Sequence, residues 1–234
     1  MRFVAAKSVE QQDIQSLHRV RSRLIGSRTQ LGNQIRGLLT EYGIVLPQHF
    51  SQLRRELPRV LEDATNELTA LTRRLFTSLY DELLSLEEKI AALDDQIVVM
   101  HRASEPCQRI AAVEGIGPLT ATALVAAISD GKAFKNGRQF AAWLGLVPKQ
   151  HSSGGKARLL GISKRGDTYL RTLLIHGARS VVYRAGRKTD PRSLWIADKQ
   201  RRLGTSKACV AVANKNARIV WSLIAHEVPY RRAA

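Results

Sequence analysis

The chain has 234 residues and an ordinary apolar share of 44%, enough to bury the core of one large domain or two small ones. Its charge is the anomaly: 37 Lys and Arg against 20 Asp and Glu leave +17, a balance that points to a polyanion such as nucleic acid. Cys107 and Cys209 are far apart and form no Cys-x-x-Cys pair, which argues against a cysteine zinc site and suits free thiols in a reducing cytoplasm. The N-terminal stretch has no apolar signal core, and no apolar run approaches membrane-spanning length, so a cytoplasmic protein is expected.

The charge is unevenly placed. Residues 1–104 carry 14 basic and 13 acidic side chains, a net of +1, whereas residues 105–234 carry 23 and 7, a net of +16. A solubilising surface would not confine its excess to one half. Two domains are therefore expected, a helical arm over 1–104 and a basic domain over 105–234.

In chain order, Ser8 and Gln11 have capping-box spacing, which predicts a helix from about Ser8. Ile14, Leu17, Leu24, Leu31, Ile35, Leu38 and Tyr42 continue it in a heptad pattern, and Gly43 is a natural stop. A second pattern runs from Leu61 through Leu71, Leu75, Leu79 and Leu83 to Met100, regular except for one stutter at Leu75–Leu83. The two helices suit a long antiparallel coiled-coil hairpin, through which the chain would form a homo-oligomer; they equally suit core helices of a bundle. Neither reading gives this half any chemistry.

In the basic half, "VEGIGPLTATALVAAI" reads as helix, tight turn, helix. Gly115 and Gly117 permit a sharp hairpin, and Pro118 suits the first position of the next helix. The pattern resembles a helix-hairpin-helix, whose amides grip a DNA phosphate without reading sequence; a plain helix corner is the alternative. Asn136 and Gln139 form a second capping box for a helix ending at Gly145, with Phe140, Trp143 and Leu144 expected in the core. "HSSGGKARLLGISKRGD" is too rich in Gly and Ser for helix and predicts an extended loop or small hairpin. Helices are then expected from Asp167 to Tyr183, from Asp190 to Gly204 and from Ser206 to His226. In the last, Asn214, Lys215, Asn216 and Arg218 form a polar cluster that suits either a nucleic-acid face or the solvated side of a core helix. The fold class is thus mainly α.

Several chemistries can be set aside. Position 150 is Gln and Ala157 follows Lys156, so this is no P-loop; Gly115 and Gly117 lack the third glycine and preceding strand of a dinucleotide site. The seven acids of the basic half are scattered, whereas a two-metal nuclease needs several converging. No metal site or cofactor is expected in this chain. What remains is a set of hydroxyls, Ser152, Ser153 and Ser163, beside Lys156, Arg158, Lys164, Arg165 and Arg171, with His151 as a possible base. Such a loop can grip phosphate passively, or a serine can attack phosphorus once its proton is removed and the developing charge is neutralised.

The run from "VEGIGPLT" through "GLVPKQHSSGGKARLLGISKRGDTYLR", with the tail "ANKNARIVW" and the opening "MRFVAAKSVEQQ", resembles the four-carboxylate (DEDD-type) insertion-sequence transposases, which include the pilin-segment-inverting recombinases. The resemblance spans essentially the whole chain. It implies a coiled coil followed by a domain with a nucleophilic serine, here Ser153 ahead of Gly154, or Ser152 one position earlier. It implies DNA as partner, with Gly115, Gly117, Lys156, Arg158, Lys164, Arg165 and Arg171 as DNA neighbours, and a structured guide RNA in some members. The family's N-terminal carboxylate domain, with its divalent metal such as magnesium, has no counterpart here, because Met1 falls where the coiled coil begins. The implied function is that of a transposase fragment contributing the serine domain to strand cleavage and transfer, inactive without the carboxylate domain. A non-catalytic DNA- or RNA-binding module, or a dominant-negative remnant, is the alternative.

Overall fold

The computed structural model describes residues 7–128, 131–153 and 156–231, the side chains of Ser153, Lys156 and Ala157 excepted. The chain divides into two compact units, one comprising residues 16–96 and the other residues 1–15 with 97–234. The mainly α expectation holds: apart from one two-stranded ribbon, the regular structure among the described residues is helical. No helix among them is long and apolar enough to cross a membrane.

Helix α1 (Val9–Glu41) opens on the expected capping box: the Gln11 amide donates to Ser8 Oγ at 3.2 Å, and the Ser8 amide donates to Gln11 Oε1 at 3.1 Å. It closes at Gly43, φ +72°, with the Gly43 amide on the Thr40 carbonyl and the Ile44 amide on that of Leu39, both at 3.0 Å. That pairing is the Schellman motif.

The expected single helix from Leu61 to Met100 is two helices. Helix α2 (Phe50–Glu62) ends at Asp63, and α3 (Ala70–Ala103) begins seven residues later. Arg73 holds the break open: its guanidinium donates to the carbonyls of Leu61 at 2.5 Å, Asp63 at 2.8 Å and Leu68 at 3.1 Å. The Leu61 and Asp63 carbonyls are among those that the end of α2 leaves without partners, and the Leu68 carbonyl lies in the link before α3. Pro58 inside α2 likewise leaves the Arg54 carbonyl unpaired, and the Tyr80 hydroxyl donates to it at 3.1 Å.

The stutter also disappears. Leu71 and Leu75 are exposed, 59% and 57%, while Phe76 is buried. The inward row is Phe76, Leu79, Leu83, Leu86, Ile90, Leu93 and Ile97, an unbroken alternation of three and four. Helices α1 and α3 are antiparallel, as the ion pair of Arg21 with Asp94 and the hydroxyl contact of Tyr42 with Thr72 require.

In the other unit, α4 (Glu105–Ala111) and α5 (Pro118–Ala127) flank the expected tight turn. α6 (Gly137–Trp143) starts on the Asn136 cap and stops at Gly145, φ +71°. Phe140 and Leu144 are buried as expected, but Trp143 is 39% exposed: it lies over Phe140 at the surface rather than in the core. The Gly/Ser-rich stretch forms a ribbon of β1 (Pro148–Ser153) and β2 (Lys156–Ile162), paired antiparallel. Then follow α7 (Thr168–Ala185), α8 (Pro191–Leu203) and α9 (Thr205–His226). Asp167 and Asp190 cap α7 and α8 by accepting from Leu170 and Ser193 amides. Core side chains of α4 to α9 form one cluster, with the buried alanines 208, 213 and 217 of α9 facing it. Small residues there let neighbouring helices approach closely.

Candidate functional site

The ribbon is fixed at its base by two turns locked together. The Ser163 amide donates to the Val147 carbonyl at 2.8 Å, and the Lys164 amide to that of Gly145 at 3.2 Å. A Cβ on Gly145 would meet the Arg165 carbonyl oxygen at 2.6 Å, and one on Gly166, φ +135°, would run into the Trp143 carbonyl. Both positions need glycine, because backbone cannot yield as a flexible side chain can. Lys164 adopts φ +54°, which a non-glycine residue rarely takes, so surrounding contacts must hold this turn.

Arg171 takes a different place from the one expected. It is buried, 7% exposed, and its guanidinium donates to the Leu144 carbonyl at 3.2 Å, the Gly166 carbonyl at 3.4 Å and Thr168 Oγ1 at 3.1 Å. Its charge is spent joining the end of α6 to the start of α7 and is not presented outward. Nothing in the sequence distinguishes it from its exposed neighbours Lys164 and Arg165.

Above this base the ladder pairs His151 with Arg158, Ser152 with Ala157 and Ser153 with Lys156. Gln150 Nε2 donates to Ser152 Oγ at 2.8 Å, and both residues are exposed. Arg158 is exposed as well. The side chains of Ser153 and Lys156, and the whole of Gly154, lie outside the described residues. The ribbon thus brings positions 151, 153, 156 and 158 into one short segment, with Lys164 and Arg165 at its foot.

Gly115 and Gly117 part company. At Gly115, φ +90°, the hairpin packs against α7: a Cβ there would meet the Gly177 carbonyl oxygen at 2.9 Å. Gly117 caps α5 in open space, beside exposed Pro118. Asn216, fully buried, fastens the hairpin from below, donating to the Glu114 carbonyl at 2.9 Å and accepting from Arg192 at 2.5 Å.

The polar cluster of α9 therefore divides. Asn216 is a core residue, whereas Asn214, Lys215 and Arg218 line an open groove of about 1600 Å³ whose walls include β2 and α8. Lys215 Nζ lies 4.2 Å from the centroid of the Trp195 ring. Burial, and then the positive charges of Arg192 and Arg218, hold its pKa below the ordinary lysine value. Sequence reading missed Trp195, Lys207 and Arg138 as members of this groove. The available signal was weak: Arg138 and Lys207 are exposed cations like many others, Trp195 is half-buried against the core, and only the packing of α6, α8 and α9 joins them. Among the described residues, no three His, Cys, Asp or Glu side chains converge as metal donors.

Residues 107–193 match the model of the transposase IS116/IS110/IS902 family, a span from α4 to the start of α8 that contains the hairpin, the ribbon and Arg171. A probable family 20 transposase of Pseudomonas aeruginosa is 51% identical over 99% of this chain and 69% of its own length. The transposase for insertion sequence element IS1111A of Coxiella burnetii is 47% identical over 100% of this chain and 64% of its own. A pilin gene-inverting protein of Moraxella bovis is 27% identical over 89% and 70%. The chain spans about two thirds of the length of these relatives. With most of its length shared at this identity, the chain belongs to the IS116/IS110/IS902 transposase family.

Proposed function

We propose that this chain is the DNA-handling, serine-bearing part of an insertion-sequence transposase. Its basic unit holds DNA by the phosphates, and Ser153 at the end of the ribbon attacks one of them. The observation that carries this reading is the ribbon register. It sets Ser153 opposite Lys156, and the period-two alternation of a strand puts position 153 on the face shared by His151 and Arg158. A nucleophilic position, a titratable imidazole and cations that neutralise a phosphorane thereby share one short segment.

In the step itself, Ser153 Oγ forms a bond to phosphorus and the P–O bond to one deoxyribose breaks. The hydroxyl proton passes to a general base, for which His151 is the candidate, and the leaving oxygen takes up a proton. One phosphodiester replaces another, so no oxidant or reductant is needed. The four carboxylates and their divalent metal would come from a further domain, in cis or in trans. Gly117 and the free amides that open α5 offer a second, sequence-independent phosphate grip. A structured guide RNA would share the same cations, and the exposed Leu71 and Leu75 of α3 suit contact with a second copy.

The test is a covalent adduct. The chain is incubated with terminal-repeat DNA and an intact relative that supplies carboxylates, and the product is resolved under denaturing conditions. An adduct that vanishes in Ser153→Ala and persists in Ser152→Ala supports the assignment. An adduct of equal yield in both variants assigns the attack elsewhere.

A further inference from the structure

The groove beside the ribbon has a chemistry that phosphate gripping does not explain. Its cations are Arg138, Lys207, Lys215 and Arg218, and no acid among the described residues lines it. Yet its lining is mostly apolar, including Leu159, Leu160, Val210, Trp195 and Trp221. Leu159 and Leu160 are 64% and 43% exposed on the wall that β2 makes. A duplex turns its phosphates outward and stacks its bases within, so it can meet the cations but offers no base face to the apolar wall. An unpaired strand offers both parts: flat apolar base faces for the leucines and indole, and phosphates for the cations.

We propose that this groove holds an unpaired DNA strand, with a base against Trp195 and the adjoining phosphates on Lys207, Lys215 and Arg218. β2 supplies that wall from Leu159 to Ile162 and begins at Lys156, the register partner of Ser153, so the groove and the proposed nucleophile are joined through one strand. That continuity selects DNA as the occupant, and to this extent the inference rests on the proposed function. Lys215 fits the assignment: burial, and then the charges of Arg192 and Arg218, disfavour its ammonium, and a phosphate beside it offsets them. Its ammonium over Trp195 adds a cationic edge to the stacking surface.

The test compares a fluorescein-labelled twelve-nucleotide oligothymidine, the same length of oligouridine, and a duplex of that length, by anisotropy on the full chain at fixed salt. The expected result is oligothymidine affinity that falls about tenfold in Trp195→Leu, as loss of one stacked base predicts, while duplex affinity stays within about twofold. Lys207→Glu, at an exposed position, serves where the tryptophan variant fails to fold and should also weaken oligothymidine selectively. Duplex binding with oligothymidine affinity equal in all three proteins overturns the groove assignment and leaves the proposed function standing. Absence of binding to every probe overturns both. Tighter oligouridine binding that responds to Trp195→Leu assigns the groove to RNA instead. Self-association of the free chain that Trp195→Leu abolishes assigns it to a second copy.

Discussion

The backbones of Gly115 and Gly177 touch: the Gly115 carbonyl oxygen sits where a Cβ on Gly177 would be, and a Cβ on Gly115 would meet the Gly177 carbonyl oxygen at 2.9 Å. The tight turn before α5 is thereby seated on α7 by two glycines 62 positions apart in the chain. Gly177→Ala must separate the two backbones, because neither can rotate aside. The expected cost is about 3 kcal/mol or more, read as a lowered denaturant midpoint. Gly26→Ala is the contrast: Gly26 lies within α1 with nothing near its missing Cβ, so the same change should stabilise by about 0.5–1 kcal/mol.

Arg171 gives a second prediction about the base of the ribbon. Arg171→Met keeps the aliphatic stem but leaves the Leu144 and Gly166 carbonyls without their guanidinium donor. Loss of charge-assisted bonds in a buried place is expected to cost about 2–3 kcal/mol. Arg171→Lys should recover only a fraction, since one ammonium cannot reproduce the planar fork. Urea denaturation of the two variants checks the order. A phosphate-binding Arg171 would instead leave stability unchanged and weaken DNA affinity alone.

What the sequence made legible was local. The caps at Ser8, Asn136, Asp167 and Asp190 and the stops at Gly43, Gly145 and Gly204 each depend on a few neighbouring residues, so spacing alone finds them. Phe76 was missed because Leu71, Leu75 and Leu79 make a plausible row of their own; only the partners on α1 and α2 decide which row turns inward. The α2–α3 break depends on Arg73 reaching back to Leu61 and Asp63, a contact no periodicity encodes. The Gly/Ser-rich stretch left loop and ribbon open, since its alternation is weak and the two turns at its base lock through the close approaches of Gly145 to Arg165 and Gly166 to Trp143, which spacing does not encode. At the candidate site the exposed cations were legible as a group. That Arg171 turns inward, and that Lys215 meets Trp195, depends on tertiary packing.

His18 on α1 predicts a pH dependence of the unit of residues 16–96. It is 3% exposed, and burial, reinforced by the charge of Arg21, lowers its pKa from 6.5 to about 4. The folded state therefore holds it neutral. Its contribution is complete above pH 6.5, declines as acid protonates the unfolded chain first, and is lost near pH 4. Between pH 7 and 4.5 the wild type should lose about 2.5 kcal/mol through this residue. The check is a double difference: urea midpoints of wild type and His18→Leu at both pH values. Equal losses in the two proteins would show that His18 titrates alike when folded and unfolded.

Arg165 carries the prediction most directly tied to DNA. It is exposed at the foot of the ribbon, its backbone amide donates to Ser163 Oγ at 3.4 Å, and its carbonyl packs over Gly145, so the turn is held without its side chain. Arg165→Gln should therefore leave stability within about 0.5 kcal/mol of wild type. If its guanidinium neutralises one duplex phosphate, the slope of log affinity against log salt should fall by about 0.9. The loss should be equal for unrelated duplex sequences, because a phosphate contact carries no base information. Anisotropy titrations of two duplexes across a range of salt concentrations read both quantities. An unchanged slope would remove Arg165 from the interface. A loss confined to one sequence would make it a reader of bases.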